Sequence, residues 1–142
     1  MITVRINKRA KSVLVSNKGP MLIDNGIKKG LEVIGKRIVT QLQAGILSPP
    51  KTGRIYRYKG RSHQASAPGE YPAERSGTLR KAANYKILSR RKMSVGFKKK
   101  AYYALFLEEG TSKMKKRKLL LDTIKQNKPF IKTSILSHVR LK

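Results

Sequence analysis

The sequence predicts an α+β chain, and three observations carry that prediction. Apolar residues recur every three or four positions between 21 and 43. Two short alternating runs face each other across 84–97, and a stretch broken by proline and glycine fills 46–75. The 142 residues suffice for a single domain with one core, spanning 1–142.

In order along the chain, Ile2, Val4 and Ile6 alternate with Thr3 and Arg5, as in a short half-buried strand. Val13-Leu14-Val15 can extend or pair with it, and Asn17-Lys18-Gly19-Pro20 is punctuation. From Met21 to about Gln43, Ile23, Ile27, Leu31, Ile34, Ile38 and Leu42 form a helical stripe, while Lys28, Lys29, Glu32, Lys36 and Arg37 lie mostly elsewhere on the wheel. Pro20 suits its first turn and Gly45 its end. Gly26, Gly30 and Gly35 each cost about 1 kcal/mol relative to alanine, and they leave smooth patches where another backbone can come close.

Pro49-Pro50, Gly53, Gly60, Pro68-Gly69 and Pro72 then exclude helix. Only Arg54-Ile55-Tyr56-Arg57-Tyr58 reads as a strand, so 46–75 is a long extended loop, a kind of segment that is either functional or disordered until bound. Ser76 or Thr78 can cap a short turn to Ala83, and Asn84–Leu88 and Met93–Phe97 form a hairpin. Ala101–Glu109 is a short helix with Tyr102, Leu105 and Phe106 towards the core, closed by Gly110. Residues 113–118 are a basic linker. Asp122 can cap a last helix carrying Ile124, Ile131, Ile135 and Val139, and Pro129 either kinks that helix or marks a restart after Asn127.

Charge dominates the composition: 34 Lys and Arg against 7 Asp and Glu, a formal net charge of +27. Such a field repels copies of itself and attracts polyanions, either nucleic acid or an acidic protein face. No run approaches the roughly 20 apolar residues of a membrane span. Met1-Ile2-Thr3-Val4-Arg5-Ile6 does not read as a secretory signal. With no cysteine, disulfide and thiolate chemistry are excluded, and a cytoplasmic origin is expected.

Catalytic chemistry is not spelled out. His63 and His138 lie in unrelated segments, and no His, Asp and Glu spacing suits a metal, so neither metal nor cofactor is expected. Glu108 and Glu109 are adjacent on a helix and point apart. His63, Ser66 and Glu70 can be drawn as a triad, but they share a loop with no scaffold. The stretch Arg54-Ile55-Tyr56-Arg57-Tyr58-Lys59-Gly60-Arg61 mixes cations with rings, as single-strand binders do, and equally suits a half-exposed strand.

Three segments in order resemble one family. They are Gly53-Arg54-Ile55-Tyr56 with His63-Gln64-Ala65-Ser66-Ala67-Pro68-Gly69-Glu70-Tyr71-Pro72-Ala73, then Ser76-Gly77-Thr78-Leu79-Arg80-Lys81, then Val95-Gly96 and Tyr103-Ala104 with Leu107-Glu108-Glu109-Gly110-Thr111-Ser112-Lys113-Met114. Over roughly residues 20–140 the chain resembles the tail-completion or head–tail joining proteins of long-tailed phages and prophages, related to the minor tail component of HK-type phages. That resemblance implies a long N-terminal helix packed on a small antiparallel sheet, with a C-terminal helix. It also implies a non-enzymatic virion protein, assembled in the host bacterial cytoplasm. It would form a six-fold homo-oligomeric ring in the neck, between portal-side connector proteins and the tail tube or terminator, around the DNA conduit. One departure stands out: where the family shows Arg-Pro-Phe-Leu entering the last helix, this chain has Arg117-Lys118-Leu119-Leu120.

In a ring subunit, 46–75 would be a long mobile loop that orders on docking against its neighbours. Its interface residues would be Arg54, Tyr56, His63, Gln64, Pro68, Gly69, Glu70, Tyr71 and Pro72, and the candidates for facing DNA are Lys51, Arg57, Lys59 and Arg61. The alternative from another class is a free basic nucleic-acid-binding protein of ribosomal or nucleoid type.

Overall fold

A computed structural model describes residues 2–5, 19–48 and 51–139. The expected contributions of Ile6, Val13-Leu14-Val15, Asn17-Lys18 and Pro49-Pro50 lie outside these residues. The fold is α+β, as the sequence predicts. Strand β1 (Ile2–Arg5) is followed by the long helix α1 (Gly19–Leu47), then by a hairpin of β2 (Ile55–Tyr58) and β3 (Arg61–Gln64). After α2 (Thr78–Ala82) come β4 (Ala83–Ser89) and β5 (Lys92–Phe97), a 3-10 turn (Lys99–Ala101), α3 (Ala104–Glu109), α4 (Leu120–Gln126) and α5 (Lys128–Val139). One antiparallel sheet has the order β1-β5-β4, and β2-β3 forms a second sheet of two strands. The central strand β5 pairs Val4 with Met93 on one side and Tyr85 with Val95 on the other.

Helix α1 organises the rest. Its predicted stripe is buried from Ile27 through Leu31, Ile34, Ile38 and Leu42, and it runs on to Ile46, one turn past the expected end. Each such side chain contributes about 1.5–3 kcal/mol by leaving water. Met93 and Val95 of β5, Leu79 and Ala82 of α2, and Leu119 and Leu120 complete the core. Gly45 does not end the helix; it lies inside it, where a Cβ would meet the Tyr71 ring at 2.6 Å. Gly26 and Gly30 face α5, where a Cβ added at Gly26 would clash with the His138 carbonyl oxygen and one at Gly30 would stand 3.3 Å from that of Ser134. Gly35 faces the Tyr85 ring of β4. The smooth patches read from the sequence are the places where other elements dock.

The C-terminal helix is two helices. Asn127 leaves helical geometry at φ −90°, ψ 2°, and α5 restarts at Lys128. Pro129 then sits in a first turn, where a missing N–H costs no helical hydrogen bond. Asn127 is buried and well satisfied. Its Oδ1 accepts from Arg37 Nε at 3.1 Å, and its Nδ2 donates to Gln41 Oε1 at 2.5 Å and to the Thr123 carbonyl at 2.7 Å. The Arg37 guanidinium also stacks 4.0 Å from the Phe130 ring centroid. The break is thereby fastened to the polar edge of α1.

Several local expectations need correction. Tyr102, Leu105 and Phe106 do not face the core: they are 75%, 56% and 50% exposed, and Ala101 and Ala104 are buried instead. The 3-10 turn ends on Ala101 and α3 begins on Ala104, and these two alanines turn inward in place of the large side chains. Neither Ser76 nor Thr78 caps α2; Gly77 holds the cap position at φ 74°. Asp122 lies within the first turn of α4, whose Leu120 and Leu121 N–H groups donate to the Glu108 carboxylate at 2.8 and 2.9 Å. A remote acid supplies the charge a helix start favours. Arg117-Lys118-Leu119-Leu120 does lead into α4, with Leu119 fully buried.

Gly26→Ala should lower stability by about 1–3 kcal/mol in urea denaturation, because the methyl group meets a backbone carbonyl that cannot swing aside. Helix propensity alone would raise stability by about 1 kcal/mol. A gain on substitution would contradict the close α1–α5 contact.

Candidate functional site

The segment 46–75, expected to be loop with at most one strand, contains a regular hairpin. Ile55 pairs with Gln64, Tyr56 with His63, Arg57 with Ser62 and Tyr58 with Arg61. The two-residue connection Lys59-Gly60 has φ of 50° and 76°, the left-handed pair that suits the twist of a tight hairpin. The pairing continues inward, with Gly53 N donating to the Ala65 carbonyl at 2.9 Å and Ala65 N to that of Arg54 at 3.0 Å. The signal for the second strand was Gly60, midway between two four-residue runs. Lysine before it, in place of asparagine or aspartate, masks the usual turn pattern.

Strand alternation sends Tyr56, Arg61 and His63 to one face and Ile55, Arg57 and Ser62 to the other. Ile55 and Tyr56 remain 59% and 54% exposed, so the hairpin stands off the core. The Arg54 guanidinium lies 5.7 Å from the Tyr56 ring centroid. Behind the first face is a groove of about 690 Å³, lined by Tyr56, Lys59, Arg61, His63, Glu74 and Arg75 among others. Among its described lining residues the one carboxylate, Glu74, is engaged by Arg80 at 2.8 Å. Arg75 had no motif to flag it in the sequence; it joins the site only because the chain folds back there.

Past Gln64, whose amide donates to the Gly53 carbonyl at 3.3 Å, the chain becomes a strap laid on the body. Ser66 and Pro72 are buried, while Pro68 and Gly69 form an exposed bend with Gly69 at φ 82°. The Glu70 carboxylate accepts from Thr52 Oγ1 at 2.5 Å, Ala67 N at 2.8 Å and Thr52 N at 3.2 Å. These bonds, the Thr52 hydroxyl foremost, hold its pKa below the ordinary carboxylate value. Thr123 Oγ1 donates to the Leu119 carbonyl, so the Tyr71 hydroxyl donates to Thr123 Oγ1, at 2.7 Å. Lys118 N donates to the Glu70 carbonyl at 3.0 Å, and Lys118 Nζ lies 5.2 Å from the Tyr71 ring centroid. Lys51 points its ammonium at the Gly45 carbonyl, 2.9 Å away. Burial lowers the Lys51 pKa, against the pull of Glu70.

The candidates therefore separate. Arg54, Tyr56, Arg57, Lys59, Arg61, His63 and Gln64 belong to the hairpin. Pro68, Gly69, Glu70, Tyr71 and Pro72 belong to the strap. Lys51 joins the end of α1 rather than the basic hairpin. A hydrolytic triad is poorly served, because both Glu70 oxygens are taken by Thr52 and Ala67, and Ser66 is buried. No group of three or more acidic or histidine side chains among the described residues could hold a metal ion. No helix among them is long and apolar enough to cross a membrane.

A second surface was missed by the sequence reading. Tyr102, Leu105 and the 47%-exposed Leu121 line a cavity of about 420 Å³ at the α3–α4 corner, together with Lys98, Lys99, Glu108 and Glu109, and the exposed Phe106 follows Leu105 on α3. Exposed large side chains gathered in this way mark contact surfaces more often than isolated ones do. No protein family, curated protein or solved structure matches the chain.

Because folding lowers the Glu70 pKa, its clamp contributes fully above the unfolded value of about 4.3 and is lost as pH falls through the folded value. The melting-temperature gap between wild type and Glu70→Gln should be constant near neutrality and close in acid. A gap that stays unchanged from neutrality into strong acid would show that the clamp is not electrostatic. Tyr71→Phe should cost about 0.5–1.5 kcal/mol in denaturant titration, the loss of one hydrogen bond to a buried hydroxyl. An unchanged midpoint would remove Tyr71 from the anchor.

Proposed function

We propose that this chain is a structural, non-enzymatic subunit of the neck of a tailed phage or prophage. In this reading it forms a ring that completes the tail and joins it to the connector, with DNA passing through. The observation that carries the reading is the way the segments bearing the resemblance are used. The strap from Ala65 to Pro72 and the stretch from Leu107 to Met114 are far apart in sequence, yet they are tied through the basic linker that leads into α4. Lys118 N donates to the Glu70 carbonyl at 3.0 Å, and Arg117 N to that of Leu107 at 2.8 Å. Glu108 of the second segment starts α4, and Tyr71 of the first is anchored on it. A motif built this way supports a scaffold, and a scaffold holding two projecting surfaces suits a subunit that must meet neighbours on more than one side.

The hairpin and the α3–α4 corner are those surfaces. One is cationic and aromatic, the other apolar with mixed charge, and neither is covered by the chain's own core. Acidic faces of the adjoining connector and tail layers would offset the +27 field. The exposed basic hairpin also favours the second reading, a free nucleic-acid-binding protein, which would act without a particle.

Disruption of the gene in a producing lysogen should yield separate filled heads and separate tails by electron microscopy, restored to joined particles by the gene in trans. Joined, infectious virions from the disrupted strain would refute the neck reading.

A further inference from the structure

We propose that the β2–β3 hairpin and the groove behind it form a sequence-independent site for the phosphodiester backbone of DNA. The inference deepens the neck reading and rests on it for where the DNA comes from; the chemistry of the groove can be tested on the isolated chain.

Three features carry it. First, the groove's charge is one-sided. Lys59 and Arg61 from the hairpin and Arg75 from the returning chain line it, and the one carboxylate among its described lining residues, Glu74, pairs with Arg80. Within a Debye length of about 8–10 Å an approaching anion meets mostly cations. A neighbouring pocket shares His63, Glu74 and Arg75 and adds Arg117, whose buried Nη1 has no acceptor among the described residues. Second, the cations are interleaved with flat surfaces. Tyr56 and His63 share the Arg61 face, and a half-exposed ring beside guanidinium groups offers a stacking platform to a base while the cations hold its phosphates. An acidic protein face would use the charges but not the rings. Third, the ribbon has the right shape. Two strands with both faces exposed fit a duplex major groove about 12 Å wide, and a two-stranded ribbon that is marginal alone in water gains from a rigid partner. The only amide side chain on the ribbon, Gln64, is turned back to Gly53, so the usual means of reading adenine is withheld. Attraction to phosphate without base readout lets DNA slide past.

The test is fluorescence anisotropy with the full chain, a labelled mixed-sequence duplex and its single strand, across a salt series. The variant Lys59→Ala/Arg61→Ala/Arg75→Ala is compared with Lys113→Ala/Lys115→Ala/Lys116→Ala, which removes the same charge from the exposed linker. All six side chains are exposed, and thermal melts check that both variants fold. The hairpin variant should lose about tenfold or more in affinity at low salt and flatten the log K against log salt slope by about 2–3, at roughly 0.9 per phosphate contact. The linker variant should lose less than about threefold. Preference for the single strand would assign stacking on Tyr56, and preference for the duplex would assign the ribbon to a groove; either supports the site. Equal losses in both variants would reduce binding to net charge and overturn it. So would poly-glutamate competing as well as DNA, which would assign the hairpin to an acidic protein. If virions join normally without the gene but the hairpin variant still loses DNA, the site stands and the neck reading falls. A chain needed for joining whose hairpin variant binds DNA like wild type reverses that result.

Discussion

A helix of 29 residues can organise a small chain only if other elements approach it on several sides, and α1 permits this by omitting side chains where they arrive. Its apolar stripe supplies the burial. Gly26 and Gly30 admit the backbone of α5, Gly35 the ring of Tyr85, and Gly45 the ring of Tyr71. Each glycine gives up about 1 kcal/mol of helix propensity, which the closer packing offsets. The polar side of the same helix fastens the break between α4 and α5 through Arg37, Gln41 and Asn127. Sheet, strap and C-terminal helices thus share one support.

The strap and the hairpin divide the middle of the chain between two tasks. Glu70 and Tyr71 spend their polar atoms on Thr52, Ala67 and Thr123, which fixes the base from which the hairpin projects. The hairpin spends few of its side chains on the body. A rigid base under an exposed ribbon keeps Arg57, Lys59 and Arg61 at the surface.

Elements with a strong local period were legible in the sequence. The α1 stripe, the β4–β5 hairpin and the glycine patches were all readable because 3.6- and 2-residue repeats and missing side chains leave a trace in order. What escaped depended on contacts between distant residues. Around α3 it is Ala101 and Ala104 that turn inward, so large apolar residues were wrongly assigned inward. The start of α4 was signalled by Asp122 locally, but Glu108, twelve residues before Leu120, supplies it. β3 was hidden by polar composition: Arg61-Ser62-His63-Gln64 is a strand because Ile55–Tyr58 lies beside it. Of the site, the cations of the hairpin were visible, while Arg75 and the groove required the chain to turn back on itself.

Carboxylates are scarce here, and the fold consumes most of them. Asp24 is held by Arg91, Glu74 by Arg80, Glu70 by Thr52 and Ala67, and Glu108 by the first turn of α4, which accounts for four of the seven. Two copies brought side by side would therefore confront ammonium with guanidinium and have few anions to trade. Repulsion between copies would ease only where an outside anion supplies the counter-charge that the folded chain keeps for itself.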